Sequence, residues 1–245
     1  MTDAKTLDIL AVGAHPDDVE LCCGGTLAKA RLLGRRIGIV DLTRGELGTR
    51  GNASIRAQEA AEAARILGAR RVNLGLPDGG IALSRRNLLN LIRVFRMHRP
   101  SILLIPYAEE RHPDHVAAHL LARQAWFSSG LRKIATSVNG KRQEPWRPAC
   151  YFCYMQWQDF DPSVIVDITD VYGTRARAIR AHKSQFYDPL SKEPPTVLSQ
   201  KSFFEFLDAR ARLYGWKIGV GYGEPFFTPG DIGVSDLLGL KMFAG

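Results

Sequence analysis

Residues 8–42 read DILAVGAHPDDVELCCGGTLAKARLLGRRIGIVDL, and this stretch decides the fold. Asp8–Ala14 runs apolar after its first residue, the pattern of a strand buried on both faces. Gly24–Gly34 reads as a helix that stops at Gly34, where glycine suits a C-terminal cap. Ile37–Leu42 (IGIVDL) is a second buried strand. The alternation continues with a helix over residues 54–69, a short strand at Val72–Leu74, a helix at Leu83–His98 and an apolar strand at Ser101–Ile105. Leu88, Leu91, Ile92 and Phe95 recur at helical spacing in the third helix. Ala149–Met155 and Val164–Ile168 read as strands, Val171–His182 and Leu198–Trp216 as helices, and Gly130–Pro148 as a basic surface excursion. Strands alternating with helices predict an α/β, Rossmann-like three-layer fold: a mostly parallel sheet with helices on both faces. The patterns supply no linker, so residues 1–245 are expected to form one domain.

In such folds ligands bind outside the carboxyl ends of the strands. Four loops reach that edge: His15–Asp18, the glycine-punctuated Thr43–Asn52, Asp78-Gly79 and Arg111–His115. Two of them echo each other, His15-Pro16-Asp17-Asp18 and His112-Pro113-Asp114-His115. Each follows a strand and opens a helix, where proline suits the first turn. Two imidazoles and one carboxylate make a three-ligand metal site with an open fourth position. His15 and Asp18 reach one ion from a single turn, and His112, His115 or His119 supplies the second imidazole, a choice that spacing leaves open. With Asp18 on the metal, Asp17 is free to act as general base toward water. The plainer alternative is that Asp17 and Asp18 only cap a helix, and His119, by the same economy, is a surface histidine.

The composition is that of an ordinary globular chain: 245 residues, 45% hydrophobic, 24% charged, formal net charge +8. The basic residues are scattered and accompany no nucleic-acid motif, so they read as solvated helix faces, with no nucleic-acid partner expected. Asp3 and Asp8 stand where a secretion signal needs basic residues, and no stretch is long and apolar enough to span a membrane; a cytoplasmic location without membrane association is expected. Cys150-Tyr151-Phe152-Cys153 is a lone C-x-x-C in a strand-like segment, so its cysteines read as bystanders. TRGELGTRG lacks P-loop spacing, and GAHPDD does not match the dinucleotide fingerprint.

At AHPDDVELCCGGTLAK, DLTRGELGTRG, LPDGGI, PYAEERHPDH, AIRAHKSQF and YGEPF the sequence resembles the LmbE-like, or PIG-L, zinc-dependent deacetylases. The resemblance implies His15, Asp18 and His115 as ligands of Zn²⁺, with Fe²⁺ tolerated by the same donors. It implies Asp17 as general base, and His112 on the oxyanion with Asp114 orienting it. DLTRGELGTRG and RHPDH are most similar to deacetylases of the bacillithiol pathway. The implied partner is therefore a small-molecule N-acetylglucosaminyl conjugate, with malate as aglycone, and a homo-oligomer, commonly a hexamer, is implied too. Arg56 and Arg111 are the candidates for holding the malate, since arginine grips carboxylates bidentately. Gly223, where relatives often carry Ala, is expected to affect only the rim. Another N-acetylglucosaminyl conjugate is the same-class alternative; a basic nucleic-acid-binding module with a structural metal is the alternative of another class.

Overall fold

The computed structural model describes residues 6–240. Its sheet has seven strands: β1 (Ile9–Gly13), β2 (Ile37–Thr43), β3 (Arg70–Leu76), β4 (Ile102–Pro106), β7 (Cys150–Tyr154), β8 (Val164–Asp167) and β9 (Gly223–Phe227), in the order β3-β2-β1-β4-β7-β9-β8. Strands β1 to β4 and β7 are mutually parallel; β9 pairs antiparallel with β7, and the edge strand β8 pairs antiparallel with β9. A separate two-stranded ribbon, β5 (Ser137–Val138) with β6 (Lys141–Arg142), lies in the basic excursion. That excursion is pinned from below: the buried Arg96 guanidinium donates to the carbonyls of Ser129, Leu131 and Ile134.

Side chains alternate along each strand, so β1 sends Leu10 and Val12 to one face and Ala11 to the other. On the first face they meet α3 (Arg85–His98) and α4 (Pro113–Ser129) through Leu91, Ile92, Phe95 and Leu121. On the second they meet α1 (Asp18–Leu32), α2 (Ala53–Leu67), α5 (Tyr172–Arg180) and α6 (Phe203–Trp216). The three-layer α/β architecture expected from the sequence is therefore the one observed.

Local differences have local causes. The first helix begins at Asp18, six residues before Gly24, but it is broken at Cys23 (φ −142°, ψ 15°); the pattern beginning at Gly24 is that of its second half. β9 escapes the sequence pattern because GEPFF holds a glycine and a proline and shows no alternation. Gly223 does not lie at the rim. It sits in β9, where an added Cβ would come within 2.8 Å of the Gly215 backbone nitrogen, so alanine would force α6 away.

The break in α1 leaves backbone N–H groups without helical acceptors, and β9 supplies one. Glu224, 2% exposed, accepts from the N–H of Gly25 (2.8 Å) and of Thr26 (2.6 Å) and from the Thr26 hydroxyl (2.7 Å). Arg175 of α5, itself buried, pairs with the same carboxylate at 3.0 Å. Replacing Glu224 by alanine strands a buried guanidinium and reopens the break, so Glu224→Ala is expected to lower unfolding free energy by about 3–5 kcal/mol. Urea unfolding followed by circular dichroism measures it; a loss below about 1 kcal/mol would contradict this account.

Candidate metal centre and active-site cavity

The carboxyl ends of β1 to β4 and β7 deliver their loops to one edge, where they enclose a cavity of about 390 Å³. At its floor the HPDD turn is closed on itself. The backbone N–H of His15 donates to Asp18 Oδ2 at 2.9 Å, which puts both side chains on the same side of the turn. Between them Asp17 adopts φ 125°, ψ −29°, a conformation that costs a non-glycine residue about 1–3 kcal/mol. Asp17 occupies the N-cap position of α1 but makes no capping hydrogen bond. Helix capping thus fails to explain this aspartate.

The strain is held by Arg56. Asn52 caps α2 by accepting from the N–H groups of Ser54 and Ile55, and Arg56 extends from the helix's first turn under the HPDD loop. Its guanidinium donates to Asp17 Oδ2 (3.1 Å), to the Pro16 carbonyl and to the Gly45 carbonyl (3.3 Å). Gly45, at φ 66°, is required here, since a Cβ would fall 2.1 Å from Arg56 Nη1. Arg56 is only 4% exposed, and both of its Nη atoms donate to the protein while Nε is left without a partner. It is a partner of Asp17, in place of the malate-holding residue expected from the sequence. Arg111 does lie at the cavity rim, exposed, with its guanidinium 4.4 Å above the Trp157 ring.

His15, Asp18 and His115 each offer a ligand atom, and the three atoms lie within 4.8 Å of one another. His115 Nε2 is 3.2 Å from Asp18 Oδ1, and His15 Nδ1 is 3.6 Å from Asp18 Oδ2. The opposite nitrogen of His15, Nε2, faces Asp78 Oδ1 at 3.0 Å and Asp114 Oδ2 at 3.3 Å. Two carboxylates on that side hold the proton on Nε2 and leave the Nδ1 lone pair for a cation, an arrangement common to metal-binding histidines. One carboxylate and two imidazoles are a borderline-soft donor set that suits a divalent transition metal. His15, His112 and Asp114 form a second triple of the same size. Its donors are otherwise engaged: His112 Nδ1 accepts from the Asp114 backbone N–H at 3.2 Å, and Asp114 Oδ2 accepts from the Gly79 N–H at 2.8 Å.

That last contact revises the expected role of Asp114. Its carboxylate does not touch His112; it turns to His15 and Gly79, and only its backbone N–H reaches His112. The cause is helix geometry. His112 is the N-cap of α4, so its ring accepts from the N–H two residues on, as cap side chains do. With Nδ1 accepting, His112 carries its proton on Nε2. His119, one turn beyond His115, is buried against the Pro106 carbonyl (2.9 Å) and stays out of the cavity; it is a core residue and not a surface one. Cys150 and Cys153 are free thiols in β7, away from the cavity lining.

The electrostatics follow from this placement. Burial pushes the Asp17 carboxyl up against the opposing pull of Arg56. Burial also works against charge on Asp18, yet His115 and His15 outweigh it and hold Asp18 well below the carboxylate range. His115 is raised in turn, because Asp18 outweighs its desolvation. Desolvation, followed by the neighbouring His15 and His115, lowers His112 and keeps it neutral. Asp78, whose strand-end position was legible without a role, is held low chiefly by His15. It also accepts from the Leu47 N–H at 2.8 Å, while Glu46 accepts from the Asp78 N–H at 3.1 Å, so Glu46 ties the glycine loop to the β3 loop. Gln156 went unnoticed in the sequence: its Nε2 lies 3.1 Å from Asp18 Oδ1 and 3.4 Å from His115 Nε2.

Fold and site together define a metal-dependent N-deacetylase of the α/β class. Residues 10–126 match the PIG-L family, described as GlcNAc-PI de-N-acetylase, and the chain belongs to that family. Diacetylchitobiose deacetylase of Thermococcus kodakarensis is 30% identical over 91% of this chain and 83% of its own. A 1D-myo-inositol 2-acetamido-2-deoxy-alpha-D-glucopyranoside deacetylase of Saccharomonospora viridis is 28% identical over 72% of this chain and 84% of its own. The crystal structure of a conserved protein from Thermus thermophilus superposes with a TM-score of 0.84 at 39% identity, covering 95% of this chain and 99% of that one. Among the described residues no helix is long and apolar enough to cross a membrane.

His115→Ala should lose bound divalent metal, read by atomic absorption after gel filtration, whereas His119→Ala should keep the wild-type stoichiometry. Metal loss in the His119 variant alone would move the second imidazole ligand one turn along α4.

Proposed function

We propose that this protein hydrolyses the acetamide of an N-acetylglucosaminyl conjugate, with Zn²⁺ held by His15, Asp18 and His115. The favoured substrate is N-acetylglucosaminyl-malate, and the products are glucosaminyl-malate and acetate, as in bacillithiol synthesis. The observation that carries the reading is a strained, buried carboxylate, Asp17, set beside a three-donor metal triad in an open cavity. When bound, the metal supplies Lewis acidity to the acetamide carbonyl and makes water more acidic.

The chain's own residues do the rest. Asp17 takes a proton from the attacking water, a task suited to a carboxylate raised by burial. His112, neutral and protonated at Nε2, donates to the carbonyl oxygen as negative charge develops there. A donor that is already neutral needs no charge from Asp114, whose carboxylate instead fixes the tautomer of His15. Asp17 then returns its proton to the departing amine, so one water is consumed and one amide bond is broken. Arg56 holds Asp17 in register and favours its ionised form. A second reading, a sugar or cyclitol aglycone, is favoured by the chitobiose and inositol names of the relatives.

Acetate release from a panel of N-acetylglucosaminyl conjugates tests the proposal. Turnover should be highest on the malate conjugate, vanish with chelator and return with zinc; highest turnover on diacetylchitobiose would favour the second reading. Asp17→Asn should retain metal and lose about 10²–10⁴-fold in kcat; a near-normal rate would remove Asp17 as the base. The pH profile carries a further sign. The rate falls as Asp17 is protonated, and Arg56 opposes that protonation. Arg56→Met should therefore move the acid limb of kcat/KM to higher pH, and an unmoved limb would separate Arg56 from the proton transfer.

A further inference from the structure

With Arg56 committed to Asp17, the cavity still holds two guanidinia that the catalytic account does not use, Arg111 at the rim and Arg210. Arg210, on α6, lines the cavity and carries its side chain across the face of Phe206, with Cζ 5.2 Å from the ring centroid. Its Nη1 donates to the Gln156 backbone carbonyl. The Gln156 side chain, in turn, contacts Asp18 and His115. One residue therefore spans the distance from the Arg210 fork to the metal triad. The remaining wall near Arg210 is apolar, formed by Leu21, Leu198, Phe203 and Leu207.

A cation in such a setting is normally neutralised by a carboxylate, because desolvating a charge without a partner costs several kcal/mol. Around the site three arginines meet this demand, Arg56 with Asp17, Arg71 with Asp41 and Glu20, and Arg175 with Glu224, whereas buried Arg96, away from the cavity, is saturated by carbonyls and the Thr136 hydroxyl; Arg210 is half-buried. Arg210 has a carbonyl and an aromatic face, and among the described residues it has no ion pair with a carboxylate. Asp159 and Glu224 act on it only through space, and Glu224 is already engaged by Gly25, Thr26 and Arg175. Its pKa is lowered by burial, as befits a guanidinium with no anionic partner. A guanidinium has five N–H donors in a planar fork, and one hydrogen bond to Gln156 leaves most of them for a ligand.

We propose that Arg210 receives a carboxylate on the aglycone of the substrate, and so selects acidic N-acetylglucosaminyl conjugates. The acetamide at C2 and the glycosidic oxygen at C1 are on adjacent carbons, so an acetamide at the metal triad leaves the aglycone one short step away, within reach of Arg210. A carboxylate there meets a cavity-lining guanidinium with donors to spare, and charge-assisted bonds of this kind are among the strongest. Arg111, over Trp157 at the rim, presents a second positive charge to the other acid group of a dicarboxylate. The proposal rests on the deacetylase reading for the identity of the substrate, but its anion site can be measured alone.

The test uses metal-loaded protein, wild type against Arg210→Met and Arg210→Lys. Acetate release is followed on N-acetylglucosaminyl-malate and on methyl N-acetylglucosaminide, and binding of L-malate is followed by calorimetry. Arg210→Met should raise KM for the malate conjugate and cut its preference over the methyl glycoside by about 10- to 100-fold, with malate binding weakened to match. Arg210→Lys, which keeps the charge but loses the fork, should fall between. Equal losses on both substrates, with or without loss of metal, would make Arg210 a structural support for Gln156 and overturn the proposal. So would an undiminished preference in the lysine variant, or a wild type that does not bind malate. If the wild type releases acetate from neither substrate, the malate-conjugate reading fails; malate binding that depends on Arg210 would still uphold the anion site.

Discussion

The contact between Arg56 and Asp17 is the constraint on which the site depends. A residue at φ 125° returns to ordinary backbone unless something holds it, and the guanidinium holds both its carboxylate and the preceding carbonyl. The strain has a purpose that packing alone does not explain. It keeps the Asp17 side chain from capping α1 and leaves it at the cavity, while its neighbour Asp18 stays closed on the His15 N–H. Two adjacent acids thereby acquire opposite properties. One is pushed up by burial and suited to carrying a proton; the other is held down by two imidazoles and suited to a metal. The glycine loop after β2 exists in its present form to let Arg56 pass beneath it, which is why Gly45 cannot carry a side chain.

The second layer of organisation is the ring of carboxylates around His15. Asp78 and Asp114 come from different loops and meet at one nitrogen, and each is also anchored by a backbone N–H. The imidazole is thus oriented by three strand ends at once. Precision of this kind arises when a site is built where parallel strands terminate, since each loop starts from a fixed point in the sheet.

How much of this the sequence disclosed depends on how local each feature is. The β1-turn-α1 unit and the paired HPD segments were legible because burial pattern, proline position and acid spacing all lie within a few residues. Asp114 misled for the same reason: adjacency to His112 suggested a pair, but at a helix start the ring accepts from the backbone N–H of residue 114, and the carboxylate faces elsewhere. Arg56 looked available because a guanidinium in a helix gives no sign of an aspartate that approaches from residue 17. Gln156 and Arg210 carry no local signal at all; in DARARLYGW an arginine reads as part of a solvated helix face, and only the tertiary fold brings α6 over the cavity. Strand β9, between β7 and β8, was hidden by its own proline.

The bond between Glu224 and the broken first helix joins the two ends of the chain's long passage through the fold. During synthesis the segment bearing His15 and Asp18 leaves the ribosome about two hundred residues before its acceptor is made. Until then Gly25 and Thr26 have no carboxylate to bind, and Arg175 has none to neutralise. The helix that carries the first half of the metal turn is therefore completed late, by the strand that closes the sheet. Vectorial growth cannot finish this site from the front, and a nascent chain stalled before residue 224 would lack the anchor that sets α1 in place.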